Sequence, residues 1–223
     1  LISWILINGL IIFLDKEKIK LNMFSIFSQE IIIPKKEKNI LFFIFFLIIL
    51  PLLLLAIFIA PNNWDSMAYH LPRVEHWIQN KNIYPYPTNI VRQLLTSPLS
   101  EYIIANFQIL ASTDSFSNLV QFASFIFILF SATLFFSILK IGMKGQLFLL
   151  LALLSLPMVL FQATTTQTDL LASFFFLSFI LFALLIIRTE ANFKTNFIFL
   201  ALSLTLGILT KYHIAIFAVP IVI

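Results

Sequence analysis

The sequence predicts an all-α, polytopic integral membrane protein with amphipathic interfacial helices in its first external loop. Three observations predict it. Of the 223 residues, 61% are hydrophobic and only 11% charged, whereas a soluble domain is about half apolar and about a quarter charged. The apolar residues gather into runs such as Ile40 to Ala60, close to the ~20 residues a helix needs to cross a bilayer. Lysine and arginine crowd into alternate loops, which is the charge pattern of a chain threaded through a membrane.

Taken in order, Leu1 to Leu14 reads as the tail of a span. It is too short for a signal peptide and lacks a basic start and a small-residue cleavage site. Residues 15–39 carry six lysines (Lys16, Lys18, Lys20, Lys35, Lys36, Lys38) and read as a cytoplasmic loop. Ile40 to Ala60 is the first complete span, with Pro51 near its middle as an expected kink. Residues 61–117 then form a long external segment. Two amphipathic pieces stand out there. The first, Ser66 to Gln79, sets Leu71, Val74 and Ile78 at helical spacing. The second opens at Ser97-Pro98, read as an N-cap followed by proline at the first helical position, and runs to Ala111. Tyr84-Pro85-Tyr86-Pro87 between them is a stiff linker. Helices lying on the membrane surface fit this pattern.

Residues 118–223 hold further spans joined by short loops. Leu119 to Leu139 goes in, Leu147 to Phe161 out, Leu170 to Ile187 in and Phe197 to Leu209 out, and Ile214 to Ile223 begins another. Two of these runs, 147–161 and 197–209, are short for a bilayer, so they must extend into their polar flanks or be re-entrant. In this threading ten of the 14 Lys and Arg are cytoplasmic, leaving Arg73, Lys81, Arg92 and Lys211 outside. The expected location is the cell's inner (plasma) membrane, multi-pass. The chain starts at Leu1 rather than Met and stops inside an apolar run, so 1–223 reads as one transmembrane domain truncated at both ends.

The chemistry-bearing residues concentrate just after the first span. Asp65 is either the N-cap of the next helix or a carboxylate placed at a membrane exit to act as general base. His70 and Arg73 are spaced i, i+3 and share a helix face. They are either snorkelling anchors or an anion site, since a guanidinium grips phosphate oxygens in pairs. Lys211 and His213 add cations at the same surface. Asp169 follows Gln162-Ala163-Thr164-Thr165-Thr166-Gln167-Thr168 and is again either an N-cap or an acid held at membrane depth for function. Glu101 reads as an exposed first-turn glutamate of the second surface helix. No phosphate-binding glycine loop, dinucleotide fingerprint, metal-ligand spacing or nucleophile elbow occurs. The absence of cysteine excludes disulfides and thiol chemistry.

The stretches WDSMAYHLPRVEHWIQN (64–80), RQLLTSPLSEYII (92–104) and QATTTQTDLLASFF (162–175) resemble, in this order, bacterial membrane glycosyltransferases of the GT-C class. These are kin of the protein O-mannosyltransferases and of the enzymes that transfer aminoarabinose to lipid A. The GILTK segment (207–211) adds a weaker match, and the resemblance runs from about residue 40 to 223. It implies transfer of a sugar from a polyprenyl-phosphate-linked donor to an acceptor hydroxyl on the external face, with inversion. The acceptor is a glycan, a lipid or a protein, and no nucleic acid is involved. The matching catalytic positions are Asp65, Asp169 and Glu101. The matching donor-phosphate positions are Arg73, His70, Lys211 and Arg92. Many members carry a second acid directly after the first, where this chain has Ser66. That departure leaves a divalent metal open without calling for one, and no other cofactor is implied. Two other readings compete. A transporter or flippase for a lipid-linked or small solute would hold its charges near the midplane. A scaffold with interfacial anchors would need Asp65 for stability only.

Overall fold

The computed structural model describes residues 35–188 and 193–222. The expected partial span 1–14 and most of the cytoplasmic loop 15–39 lie outside them. The chain divides into two compact units, Leu1–Leu41 and Phe42–Ile223. The second holds every candidate site residue. The described residues are helical, with no strand among them. The helices are α1 (Lys35–Phe58), a π turn (Ser66–His70), α2 (Leu71–Asn80), α3 (Arg92–Leu95), α4 (Leu99–Ala111), α5 (Leu119–Ile138), α6 (Met143–Leu154), α7 (Pro157–Gln162), α8 (Asp169–Arg188), α9 (Phe193–Thr210) and α10 (His213–Val222). Three of them, α5, α8 and α9, are long and apolar enough to cross a membrane.

Boundaries depart from expectation where local chemistry overrides hydropathy. Helix α1 begins at Lys35, inside the expected loop, and is continuous through Pro51. The run 147–161 is not one helix. Pro157 has no amide proton and forces Leu156 out of the α region (φ −78°, ψ 109°), so α6 ends and α7 restarts. Helix α9 extends into its polar N-terminal flank, back to Phe193. Helix α4 starts at Leu99, with Pro98 as its boundary residue and no side-chain cap. Ser97 therefore lies one position outside and does not cap the helix. Residues 61–117 gain a short helix, α3, that hydropathy did not mark.

Hydrogen bonds at the helix ends fix the directions. The side chain of Asn118, at the head of α5, donates to the carbonyl of Ile59, just beyond α1 (2.8 Å). Gln121 Oε1 on α5 accepts from the backbone N–H of Leu170 (3.1 Å) and Leu171 (3.3 Å) in the first turn of α8. At their far ends Arg188 of α8 donates to the carbonyl of Ile138, the last residue of α5 (2.7 Å). Helices α5 and α8 are therefore parallel, with both heads together and both tails together. Each has 20 residues, or roughly 30 Å of rise. Lys211, just past α9, pairs with Asp169 at the start of α8, so α9 runs antiparallel to α8. All the polar connections carrying candidate site residues gather at one end.

The surface helices lock onto that end. Leu71 and Val74 of α2, Ile104 of α4, Val120 of α5 and Leu171 of α8 form one buried cluster, with Ile78 packed against it. The predicted apolar stripe of α2 is thus the one that packs. A second cluster joins Ile49, Leu52 and Ala56 of α1 to Phe122 and Phe125 of α5 and to Leu170. Hydroxyls inside the long helices bond their own backbone one turn back. Ser124 donates to Val120, Ser178 to Phe174 and Thr205 to Ala201. These three hydroxyls are satisfied within their own helices.

Gln121 stands apart because its carbonyl oxygen caps another helix. Gln121→Leu orphans two buried donors, each costing about 1–3 kcal/mol. The expected result is a protein that folds but unfolds earlier in a denaturing-detergent titration, with α8 fraying at its head.

Candidate functional site

Pro72 sets the local geometry. In an uninterrupted α-helix its nitrogen would donate to the carbonyl of Ala68, and proline cannot. The helix that begins at Trp64 therefore widens into the π turn Ser66–His70, closed by Leu71 N–H donating to the carbonyl of Ser66. The carbonyl of Ala68 accepts instead from Gln93 Nε2 (2.9 Å). Gln93 is buried, and its oxygen accepts from the hydroxyls of Tyr86 (3.1 Å) and Thr88 (2.9 Å). This one side chain straps the 84–93 segment across the π turn. The neighbouring residue, Arg92, is thereby held beside the turn's first residues.

Asp65 is not the N-cap. It has helical angles (φ −64°, ψ −42°) and makes no side-chain cap bond. The cap is Asn63, whose Oδ1 accepts from Ser66 N–H (2.8 Å). The Asp65 carboxylate is left to face the site, 34% exposed. Its Oδ2 accepts from Gln167 Nε2 (3.2 Å), across 102 residues of chain. Its Oδ1 lies 4.0 Å from an Arg92 guanidinium nitrogen. Arg92 is 70% exposed along its side chain and stands over the ring of Tyr69 at 5.8 Å. Tyr69 hydrogen-bonds Asp65, and its phenol is pushed up to about 12, by burial first and then by the Asp65 charge.

Asp169 is likewise not a cap. Thr168 occupies that place, its carbonyl accepting from Ala172 N–H. Asp169 is the first helical residue and is paired with Lys211, both of them part-exposed at 40% and 37%. The site thus has two carboxylate–cation pairs, Asp65–Arg92 and Asp169–Lys211; Gln167, two residues before Asp169, donates to Asp65, and the charges of both acids raise the Tyr69 phenol. Lys211 faces its acid rather than standing open.

Glu101, His70 and Arg73 form a different unit. Glu101 is not exposed but wholly buried, at 0%. Its Oε1 is 2.8 Å from His70 Nδ1 and 3.7 Å from Arg73. Arg73 also donates to the carbonyl (2.8 Å) and hydroxyl (2.9 Å) of Thr96 and stacks on Trp77 at 4.8 Å. His70 and Arg73 do share a helix face, as their spacing requires. They are neither snorkelling anchors nor open to a phosphate, because the buried carboxylate of α4 occupies them. His213 is exposed and stacks on Tyr212 (4.1 Å).

Among the described residues no group of three or more His, Asp or Glu side chains converges as a cation cage. Sequence reasoning missed Tyr69, Gln93, Gln121 and Gln167. Two of these had a signal. Gln121 is an amide in an apolar run without a local partner, and Pro72 announces that the carbonyl of Ala68 needs a donor. The chain matches no protein-family model, no curated protein and no solved structure.

Two outcomes are expected. Glu101→Leu leaves Arg73 and His70 buried without their acid, which lowers stability by about 3 kcal/mol; a chemical-denaturation midpoint unchanged from wild type would contradict the burial. Ultraviolet titration of wild type against Tyr69→Phe shows one phenol ionising near pH 12 rather than 10.0. Because the folded value is raised, its contribution to stability is present below pH 10 and lost between pH 10 and 12.

Proposed function

We propose that the chain is a multi-pass inner-membrane glycosyltransferase of the GT-C kind, transferring a sugar from a polyprenyl-phosphate donor to an acceptor hydroxyl at the external face. The observation that carries this reading is the meeting of Asp65, Arg92, Asp169 and Lys211 at one end of the apolar helices. A lipid-borne donor needs such a place, with its prenyl chain among lipids and its phosphate beside cations. The large outward-facing side chains of the helices, among them Phe42, Phe127, Phe148 and Phe197, are exposed, which suits hydrocarbon and not water. The tail end of α5 and α8, with Lys140, Lys144 and Arg188 nearby, takes the cytoplasmic side. The charges of the site lie at helix ends. The middle of α5 and of α8 contains none, which favours an enzyme over the transporter reading.

In this reading Asp65 takes the proton of the acceptor hydroxyl as its oxygen attacks the anomeric carbon. The bond from that carbon to the phosphate oxygen breaks, and the configuration inverts. Negative charge develops on the departing polyprenyl phosphate, where Arg92 is the most open cation to stabilise it. Lys211 contributes once an arriving anion competes with Asp169. Asp169 shapes the field at the mouth, and the Glu101 unit holds α2 and α4 in place. The donor role expected of His70 and Arg73 passes to Arg92, because their groups are committed to Glu101.

The test uses the protein in nanodiscs, polyprenyl-phosphate sugars and an envelope acceptor, with release of polyprenyl phosphate as readout. Asp65→Asn is expected to slow release by about 100-fold or more while folding and insertion stay intact. Arg92→Ala is expected to raise the donor KM several-fold and also lower kcat. Wild-type rates in Asp65→Asn would remove the general-base assignment.

A further inference from the structure

Resting on the reading just given, we infer that Gln167 is a positioning residue. Its amide fixes Oδ2 of Asp65 so that Oδ1, on the Arg92 side, is the oxygen that accepts the substrate proton. The carboxylate has two oxygens in unlike surroundings. One accepts from Gln167 Nε2 at 3.2 Å. The other lies 4.0 Å from an arginine that is 70% exposed, on the side where a phosphate can arrive. A carboxylate on a helix turn rotates about its terminal bond unless something holds it. Gln167 supplies that hold from a different part of the chain.

The platform beneath Gln167 is rigid, which a positioning role requires. Its flanking residues Thr166 and Thr168 are buried, as is Ala163 at the start of the loop. Thr165 Oγ accepts from Gln167 N–H (3.4 Å) and donates to the carbonyl of Gln162 (3.2 Å). The loop then enters α8, whose first turn is capped by Gln121 from α5. The amide is thus referenced to the long helices, whereas Asp65 and Arg92 are referenced to the π turn. The contact sets the acid of one external segment against the frame of another. Tyr69 and Arg92 are the ionisable groups facing Asp65, with Asp169 and its partner Lys211 next in range. Tyr69 also hydrogen-bonds the Asp65 carboxylate, from within the π turn, whereas Gln167 reaches it from the loop before α8.

The experiment compares wild type, Gln167→Ala, Gln167→Glu, Asp65→Asn and the double variant Asp65→Asn/Gln167→Ala, all full chain in nanodiscs. Gln167→Ala is expected to lower kcat roughly 10- to 100-fold, the worth of one hydrogen bond to a charged group, with the donor KM within about twofold of wild type, because Gln167 acts through Asp65 and not on the donor. Gln167→Glu keeps the shape, loses the amide donor and adds a like charge, so it is at least as slow. The double variant is no slower than Asp65→Asn alone. Independently of activity, the carboxylate stretching band of Asp65, isolated as wild type minus Asp65→Asn in infrared difference spectra, moves when Gln167 is replaced. An effect on KM alone, an additive double variant or an unmoved band would overturn the assignment. If Gln167→Ala does not fold, Gln167→Glu decides by the same readouts. If Asp65→Asn keeps wild-type release, the glycosyl-transfer role of Asp65 fails, while the infrared band still judges the Gln167 contact.

Discussion

Pro72 cannot donate to the carbonyl of Ala68, and much of the site is arranged around that missing bond. A buried carbonyl without a partner is costly, so something must fill the place. Gln93 does, and it brings a whole segment with it, because its own oxygen is held by Tyr86 and Thr88. Arg92 is adjacent in sequence and therefore arrives beside Asp65. The π turn widens the same helix between Asp65 and Arg73. Their side chains consequently serve different neighbourhoods, Asp65 toward the loop of Gln167 and Arg73 toward α4.

The long helices provide the fixed frame for that arrangement. In apolar surroundings a helix head has donors with nowhere to go. The head of α8 solves this with Gln121 from α5, and the tail of α5 is met by Arg188 of α8. Three bonds, two at the heads and one at the tails, hold the pair parallel and in register. The loop between α7 and α8 is therefore placed by helices on both sides. A residue in that loop can position another group because its own backbone is fixed.

How much of this was legible in the sequence depends on the range of the interaction. Helices governed by their own composition were readable. The apolar runs gave α5 and α8 nearly to the residue, and the Leu71, Val74, Ile78 stripe gave the packed face of α2. Pro157 ended a helix in a way that hydropathy averages hide. Caps were misassigned because Asp65 and Asp169 satisfy the rules for a cap equally well. The choice of Asn63 and Thr168 is made by where the chain turns, which is one or two residues earlier. Glu101 looked like any exposed first-turn acid. It is buried against Arg73 of α2 and His70 of the π turn, 28 and 31 positions away, a tertiary fact that local spacing does not hold. Gln167 was least legible of all, since a polar residue in a threonine-rich loop has no periodicity to betray it.

The contrast between Glu101 and Asp65 shows why one carboxylate is suited to structure and the other to chemistry. Glu101 has no access to solvent, and its Oε1 faces His70 and Arg73. A substrate could not reach it without separating α2 from α4. Asp65 is part-exposed, has a single, distant cation that is itself mostly exposed, and is held by neutral donors, the Gln167 amide and the Tyr69 phenol. A neutral donor can orient a carboxylate without neutralising it, whereas a close cation would lower its basicity. An acid that must accept a proton and release it again is better served by the second environment. The cations come from residues 61–117 and the amide from the loop before α8, and the fold sorts them by burying Arg73 beside Glu101 while Arg92 stays exposed.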